Sequence, residues 1–277
     1  AQRRICGARM SALAANEMAA PRRSFWDRPW VAPLFVFVAV LAVWELIVLL
    51  LRPPTFLLPP PTLIWQSLSS QFGALMSYGF NTFQEAVGGF LIGCGLGLLA
   101  AMVVARSRWL ADLLLPFAIA SNSVPIVAMA PIAIVWFGIG PWSKVAIVAV
   151  MCFFPTMVST VRGLTSAAPD AVALMHSYAA SDWQIFTKLR VPSALPFVFN
   201  ALKICTSVSM IGAIVAEFFG GAVNYLGIYI KTQAGILKTP DAWAAIVVAC
   251  LYGLAFYFAI VLLERWLMPW HRHRDQR

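Results

Sequence analysis

The sequence predicts an all-α integral membrane protein with six transmembrane helices, and three observations carry that reading. Hydrophobic residues make up 61% of the 277 and charged residues 11%, with a mean hydropathy of +0.81. A soluble domain carries about a quarter charged residues. Apolar runs reach the roughly 20 residues needed to cross a hydrocarbon core. Lysine and arginine gather in alternate connecting segments, the bias of loops retained on the cytoplasmic side.

Residues 1–30 hold six arginines and are expected to form a basic cytoplasmic N-terminal arm. The membrane domain is expected over 31–270, with 271–277 as a cytoplasmic tail. The first span, 31–51, has 21 residues and one charge, Glu45. The loop 52–81 opens with "RPPTFLLPPPT". Prolines lack a backbone N–H, which favours an extended strap over the outer face. The second span, 82–105, carries Gly89, Gly93 and Gly97, a doubled GxxxG whose small residues allow a second helix to approach closely. The third, 110–137, is interrupted by Pro116, Pro125 and Pro131. The fourth covers 142–163, the fifth 195–219 and the sixth 242–264. The loop 220–241 mixes glycine with Leu226, Ile228 and Ile230 and suits a short helix at the membrane surface.

With the N-terminus inside, fifteen of the twenty Lys and Arg residues fall on the inner side. Four fall outside (Arg52, Lys144, Lys231 and Lys238), and Lys203 lies within the fifth span. Both termini are therefore expected in the cytoplasm. The net charge of +9 is read as topology, and nucleic acid is not expected as a partner. The five cysteines show no CxxC pair and no Cys/His spacing. They are read as packing residues, with no metal site.

The cytoplasmic loop 166–192 is too structured for a plain connector. "SAAPDAVALMHSY" reads as a helix with Ser166 or its neighbour as cap and Pro169 in the first turn. "SDWQ" is a capping box, with Ser181 as cap and Gln184 at the third helical position. In the short helix that follows, Trp183 and Phe186 share a face, Gln184 and Lys188 point elsewhere, and Pro192 is expected to end it. The result is a helix–turn–helix. It suits equally an interfacial helix with Trp183 at the headgroups and a docking element for a cytosolic subunit.

For a substrate pathway, Asn122 and Ser123 in "SNSVP" are candidates at mid-depth of the third span, and they equally suit a hydrogen bond between helices. Met129 and Trp136 follow at a spacing that keeps them on one side. The fifth span adds Ser207 and Glu217. An ionisable group in a span is a functional candidate, although Glu217 also suits a structural pair with Lys231. Glu45 and Glu85 are read as structural. Hydroxyls, an amide, Met and Trp suit an uncharged or weakly polar organic ring better than an inorganic oxyanion.

The loop resembles the conserved cytoplasmic "EAA" loop of ABC importer permeases, E-A-A-x3-G-x9-I-x-L-P. The aligned positions are Ala173, Leu174, Met175, Ala179, Leu189, Val191 and Pro192, so Ala173 stands for the Glu and Ala179 for the Gly. "SNSVPIVAMAPIAIVWFGIGPWSKVAIVAVMCFFPTMVSTVRGL", "IGAIVAEFFGG" and "LLERWLMPW" resemble the nitrate/sulfonate/taurine branch, and the wording looks most like its thiamin-precursor and riboflavin members. The resemblance implies a six-helix type I permease subunit in the bacterial cytoplasmic (inner) membrane, with 166–192 as the coupling loop. It implies a second permease copy, two cytosolic ATPase subunits and a soluble or lipid-anchored substrate-binding protein. Tyr178, Ala179, Ser181, Asp182, Trp183, Phe186 and Lys188 would be the ATPase-coupling residues. The 277 residues contain no G-x-x-x-x-G-K-[ST], so the chain is expected to hold no cofactor and catalyse nothing, with ATP and Mg on the partner ATPase. The opposing class, an ATP-independent secondary transporter or channel, needs coupling-ion ligands at mid-depth, where few acids lie.

Overall fold

The computed structural model describes residues 31–106, 108–121 and 126–269. The basic arm, Asn122, Ser123 and the tail 271–277 lie outside these. The chain divides into two compact units, Ala1–Pro54 with Pro60–Thr62, and Thr55–Pro59 with Leu63–Arg277.

The first unit is built on α1 (Val31–Leu51), whose side chains are apolar nearly throughout. Its one charge has a local task. The Glu45 carboxylate accepts from the Thr62 backbone N–H at 3.2 Å and from the Thr62 hydroxyl at 3.0 Å. Thr62 lies in the first turn of α2 (Pro61–Ser70), where backbone N–H groups have no partner within the helix. Pro61 starts that helix and residues 55–57 form a turn, so the proline-rich segment is not the extended strap expected over 52–81. A fixed φ that suits an extended strap suits the first helical position equally well.

The second unit is a helical bundle. Its elements are α3 (Phe72–Val104), α4 (Arg108–Ser121), α5 (Ala130–Phe137), α6 (Pro141–Thr165), α7 (Pro169–Ser177), α8 (Asp182–Glu217), α9 (Leu226–Gly235) and α10 (Thr239–Leu267). Every described element is helical, as expected. Among the described residues, α1, α3, α6, α8 and α10 are long and apolar enough to cross a membrane. The third expected span is instead two shorter helices, α4 and α5, with a 3₁₀ turn at Ile126–Met129 between them. Pro116 lies inside α4, which runs on to Ser121, and Pro131 lies in the first turn of α5, where its missing N–H costs no helical hydrogen bond.

Close helix approach organises the centre. Gly89, Gly93 and Gly97 of α3 all face α6, where an added Cβ would meet the Val148 side chain, the Ala149 carbonyl and, at 2.7 Å, the Phe153 carbonyl. Gly163 of α6 does the same toward Ala194 of α8. Phe83, Phe90 and Phe256 then knit α3 to α10, with Phe90 and Phe256 edge to face at 4.8 Å between centroids.

Pro192 does not end the short helix. The chain runs through a π turn at Phe186–Arg190, in which the Val191 N–H reaches the Phe186 carbonyl, and continues to Glu217. The wider turn lies just before Pro192, which cannot donate the hydrogen bond a regular helix would need there.

Candidate functional site

Three features outside simple lipid-facing packing stand out. The first is the turn between α7 and α8. Pro169 occupies the first turn of α7, as its fixed φ allows. Ser166 does not cap that helix; its hydroxyl donates to the Gly163 carbonyl at the end of α6, at 2.7 Å. At the far end of α7 the Ala180 N–H bonds the Met175 carbonyl at 3.1 Å and the Ala179 N–H bonds His176 at 2.9 Å. That is a Schellman closure, and Ala179 pays the usual conformational toll at φ +55°. The capping box then starts α8: the Ser181 N–H donates to Gln184 Oε1 at 2.9 Å, and the Gln184 N–H to Ser181 Oγ at 3.3 Å. Trp183 and Phe186 stack at 5.8 Å between ring centroids. Tyr178 is 79% exposed and Trp183 71%, while Ile185 behind them is buried. Asp182 and Lys188 are exposed and Phe186 is half-buried. Beside this turn a cavity of about 780 Å³ is lined by Arg106, His176, Asp182, Trp183, Phe186 and Arg190.

The second feature lies at the opposite end of α6. Lys144, one turn into that helix, has its Nζ 3.5 Å from Glu85 Oε1 of α3, and both side chains are 3% exposed. The ammonium also stands 5.0 Å from the centroid of the Tyr225 ring, a cation–π contact. Fully buried Glu217, at the end of α8, lies beside Glu85 and accepts from the Gly227 N–H. The expected pair between Glu217 and Lys231 is not formed: Lys231 Nζ donates to the Phe218 carbonyl at 2.6 Å. The reason is direction, since α9 turns its first-turn N–H groups toward α3 and α8. Thr82 accepts the neighbouring Leu226 N–H at 3.0 Å. Further out, Asn81 donates to the Asn224 carbonyl at 2.9 Å, and the Tyr229 hydroxyl to Gln71 at 2.6 Å. Burial pushes the Tyr229 phenol above its ordinary range, so the group stays a donor. The loop 220–241 is thereby fastened to α3 and α8 through buried polar groups that sequence separation concealed.

The third feature is an open apolar cavity of about 530 Å³ between α8 and α10, with Ile230 of α9 also in its lining. Ser207, Met210, Phe218, Cys250 and Tyr257 are among its lining. Of the candidate pathway residues, Ser207 is in this lining and Glu217 is in the buried charged cluster. Met129 is 39% exposed and Trp136 70%. Lys203 of α8 is neutralised by Glu264 of α10, with Nζ 3.1 and 3.2 Å from the two carboxylate oxygens.

Long apolar helices packed around a buried ion pair, with one polar helical turn beside them, are the architecture of a multi-pass membrane protein. The family model "binding-protein-dependent transport system inner membrane component" matches residues 93–273. The riboflavin transport system permease protein RibX of Chloroflexus aurantiacus is 34% identical over 235 residues, covering 83% of this chain and 87% of that one. The formylaminopyrimidine transport permease protein ThiX of Halalkalibacterium halodurans is 29% identical, covering 87% of this chain and 96% of that one. The taurine transport system permease protein TauC of Escherichia coli is 26% identical, covering 92% and 97%. The fold matches a crystal structure of an amino acid ABC transporter with histidines, with a TM-score of 0.57, 16% identity, and 72% of this chain and 97% of that chain covered. The chain belongs to the family of inner-membrane components of binding-protein-dependent ABC transport systems.

Proposed function

We propose that this chain is the permease subunit of an ATP-driven importer for a small, weakly polar organic ring of the riboflavin or pyrimidine type. It works as a dimer of two such chains, with a soluble or lipid-anchored binding protein delivering solute at the face carrying α9. The α7–α8 turn is the coupling element, cytoplasmic together with both chain termini. The observation that carries the reading is the exposure of Tyr178 and Trp183 on a turn held rigid by a Schellman closure and a capping box. An aromatic pair kept in water by fixed backbone hydrogen bonds is a docking surface awaiting a partner. The partner is an ATPase pair on separate chains, which carry ATP and Mg. Their closure would push α7–α8 as a rigid body and tilt the spans. α8 suits that task, because the turn and the apolar cavity lie on the same 36-residue helix.

The solute class rests on two supports. The cavity beside Ser207 is nearly all apolar, with hydroxyls of Ser207 and Tyr257 as its polar points, and Lys203 is already paired. The relatives named for riboflavin and formylaminopyrimidine also act on heterocyclic rings. Asn122, Ser123, Met129 and Trp136 remain candidate pathway residues.

The test is co-purification followed by transport. Trp183→Asp with Phe186→Asp is expected to abolish recovery of the ATPase while the permease stays monodisperse; undiminished recovery would sink the coupling assignment. Proteoliposomes with ATPase and binding protein are then screened with riboflavin, a formylaminopyrimidine, taurine and nitrate. Uptake of nitrate or taurine alone would overturn the ring assignment, and uptake without the ATPase would overturn the ATP-driven one.

A further inference from the structure

Three cysteines that are far apart in the chain meet inside the bundle. Cys94 of α3, Cys152 of α6 and Cys205 of α8 are each 3% exposed or less, and their Sγ atoms all lie within 4.8 Å of one another. The Thr156 hydroxyl donates to Cys94 Sγ at 3.3 Å and stands 3.5 Å from Cys205 Sγ. The Cys152 and Cys205 thiols each donate to the other's carbonyl, with sulfur and oxygen 3.7 Å apart.

We propose that these three thiols form a binding site for a single soft metal cation of the monovalent d10 kind, with Thr156 as the hydroxyl that steadies it. Thiolate donors select soft ions. With metal–sulfur bonds of about 2.3 Å, a trigonal site needs sulfurs roughly 4 Å apart, close to the spacing already present. Charge fixes the valence. Among the described residues, buried Lys144 is taken by Glu85 and half-buried Lys203 by Glu264. No spare cation therefore offsets a net negative site, and an uncompensated charge in an apolar core is very costly. A monovalent ion that displaces one thiol proton leaves the site neutral: one S–H bond breaks, one metal–sulfur bond forms, and the proton is released to solvent. The Thr156 hydroxyl, within reach of both Cys94 and Cys205, would steady whichever of those two sulfurs becomes the thiolate. The two remaining thiols donate lone pairs without losing protons.

Bound there, the ion would tie α3, α6 and α8 together. Those are the helix carrying the packing glycines, its packing partner, and the helix carrying the coupling turn. Occupancy would therefore hold the three spans in one arrangement.

The experiment uses full-length permease in detergent with Cys6→Ser and Cys250→Ser, so that only the three buried thiols remain. Silver(I) is the probe, since it is monovalent and redox-inert. The protein is incubated overnight with one equivalent of silver and an excess of free methionine as competitor, desalted, and assayed for metal by mass spectrometry. One silver per chain is expected. Adding Cys152→Ser should lower retained silver at least tenfold, with an unchanged gel-filtration profile. Cys152→Ala serves as the second variant if the serine protein does not purify. Retention near zero in the starting protein, or equal retention in the Cys152 variants, overturns the site.

Discussion

Lys144 and Glu85 face each other at 3.5 Å, at a point where both side chains are almost wholly withdrawn from solvent, and Glu217 stands beside them. Two acids thus share one base, and Glu217 also holds the start of α9. Removing the base alone leaves the Glu85 carboxylate buried without its ion-pair partner, a loss of about 3–5 kcal/mol for a broken buried pair. Lys144→Met is therefore expected to unfold at markedly lower temperature in detergent. Lys144→Met with Glu85→Met should recover most of that loss, because apolar replacement of both partners is close to neutral. Thermal unfolding followed by tryptophan fluorescence checks this; a double variant as unstable as the single would refute the pairing.

Ala179 supplies a second prediction. Its φ of +55° is a left-handed conformation that costs an L-residue about 1–2 kcal/mol. Glycine escapes that cost but loses more chain entropy on folding, so Ala179→Gly should stabilise the α7–α8 turn by roughly 0.5–1 kcal/mol. Amide exchange across 175–182 should slow a few-fold. Ala179→Val should speed exchange, since a β-branched residue fits that conformation worst. Faster exchange in the glycine variant would contradict the closure described here.

Much of this was legible from residues 166–192 and from hydropathy, and the failures have physical causes. Ser181 and Gln184 are three residues apart, so their capping box could be read directly. The departure of Ala179 from the glycine of the family pattern could be read too, but only the backbone shows that the left-handed turn persists without the glycine. The expected end at Pro192 failed because a π turn absorbs the missing donor. The second span begins with α3 at Phe72 rather than near 82, because Tyr, Ser and Asn over 77–81 read as loop. Asn81 has its answer in Asn224, far along the chain. Glu85 with Lys144, and Cys94 with Cys152 and Cys205, are meetings across three helices, and no spacing rule within one segment announces them.

The capping box is itself open to test. Ser181→Ala removes the acceptor for the Gln184 N–H and should cost about 1 kcal/mol in the first turn of α8. Exchange should quicken over 182–186 while the rest of α8 is unchanged. Ser181→Asp keeps a cap acceptor and adds a charge favoured at a helix N-terminus, so it should restore protection. Equal exchange in the alanine and aspartate variants would show that the cap does not hold the turn.

Two glycines on α3 separate packing from propensity. At Gly93 a Cβ would strike the Ala149 carbonyl, which is backbone and cannot rotate aside; at Gly95 a Cβ meets nothing within 4 Å. In a helix, alanine is better than glycine by roughly 1 kcal/mol when nothing obstructs it. Gly95→Ala is therefore expected to be neutral or slightly stabilising. Gly93→Ala must push α3 and α6 apart over a contact that also includes Gly89 and Gly97, and overpacking of this kind costs about 1–3 kcal/mol. Since Cys94 follows Gly93 directly and Cys152 lies on the displaced helix, the shift should also spread the three thiols. Gly93→Ala should thus lower both thermal stability and silver retention, and Gly95→Ala neither. Matching behaviour of the two variants would mean that the α3–α6 approach is looser than the glycine spacing requires.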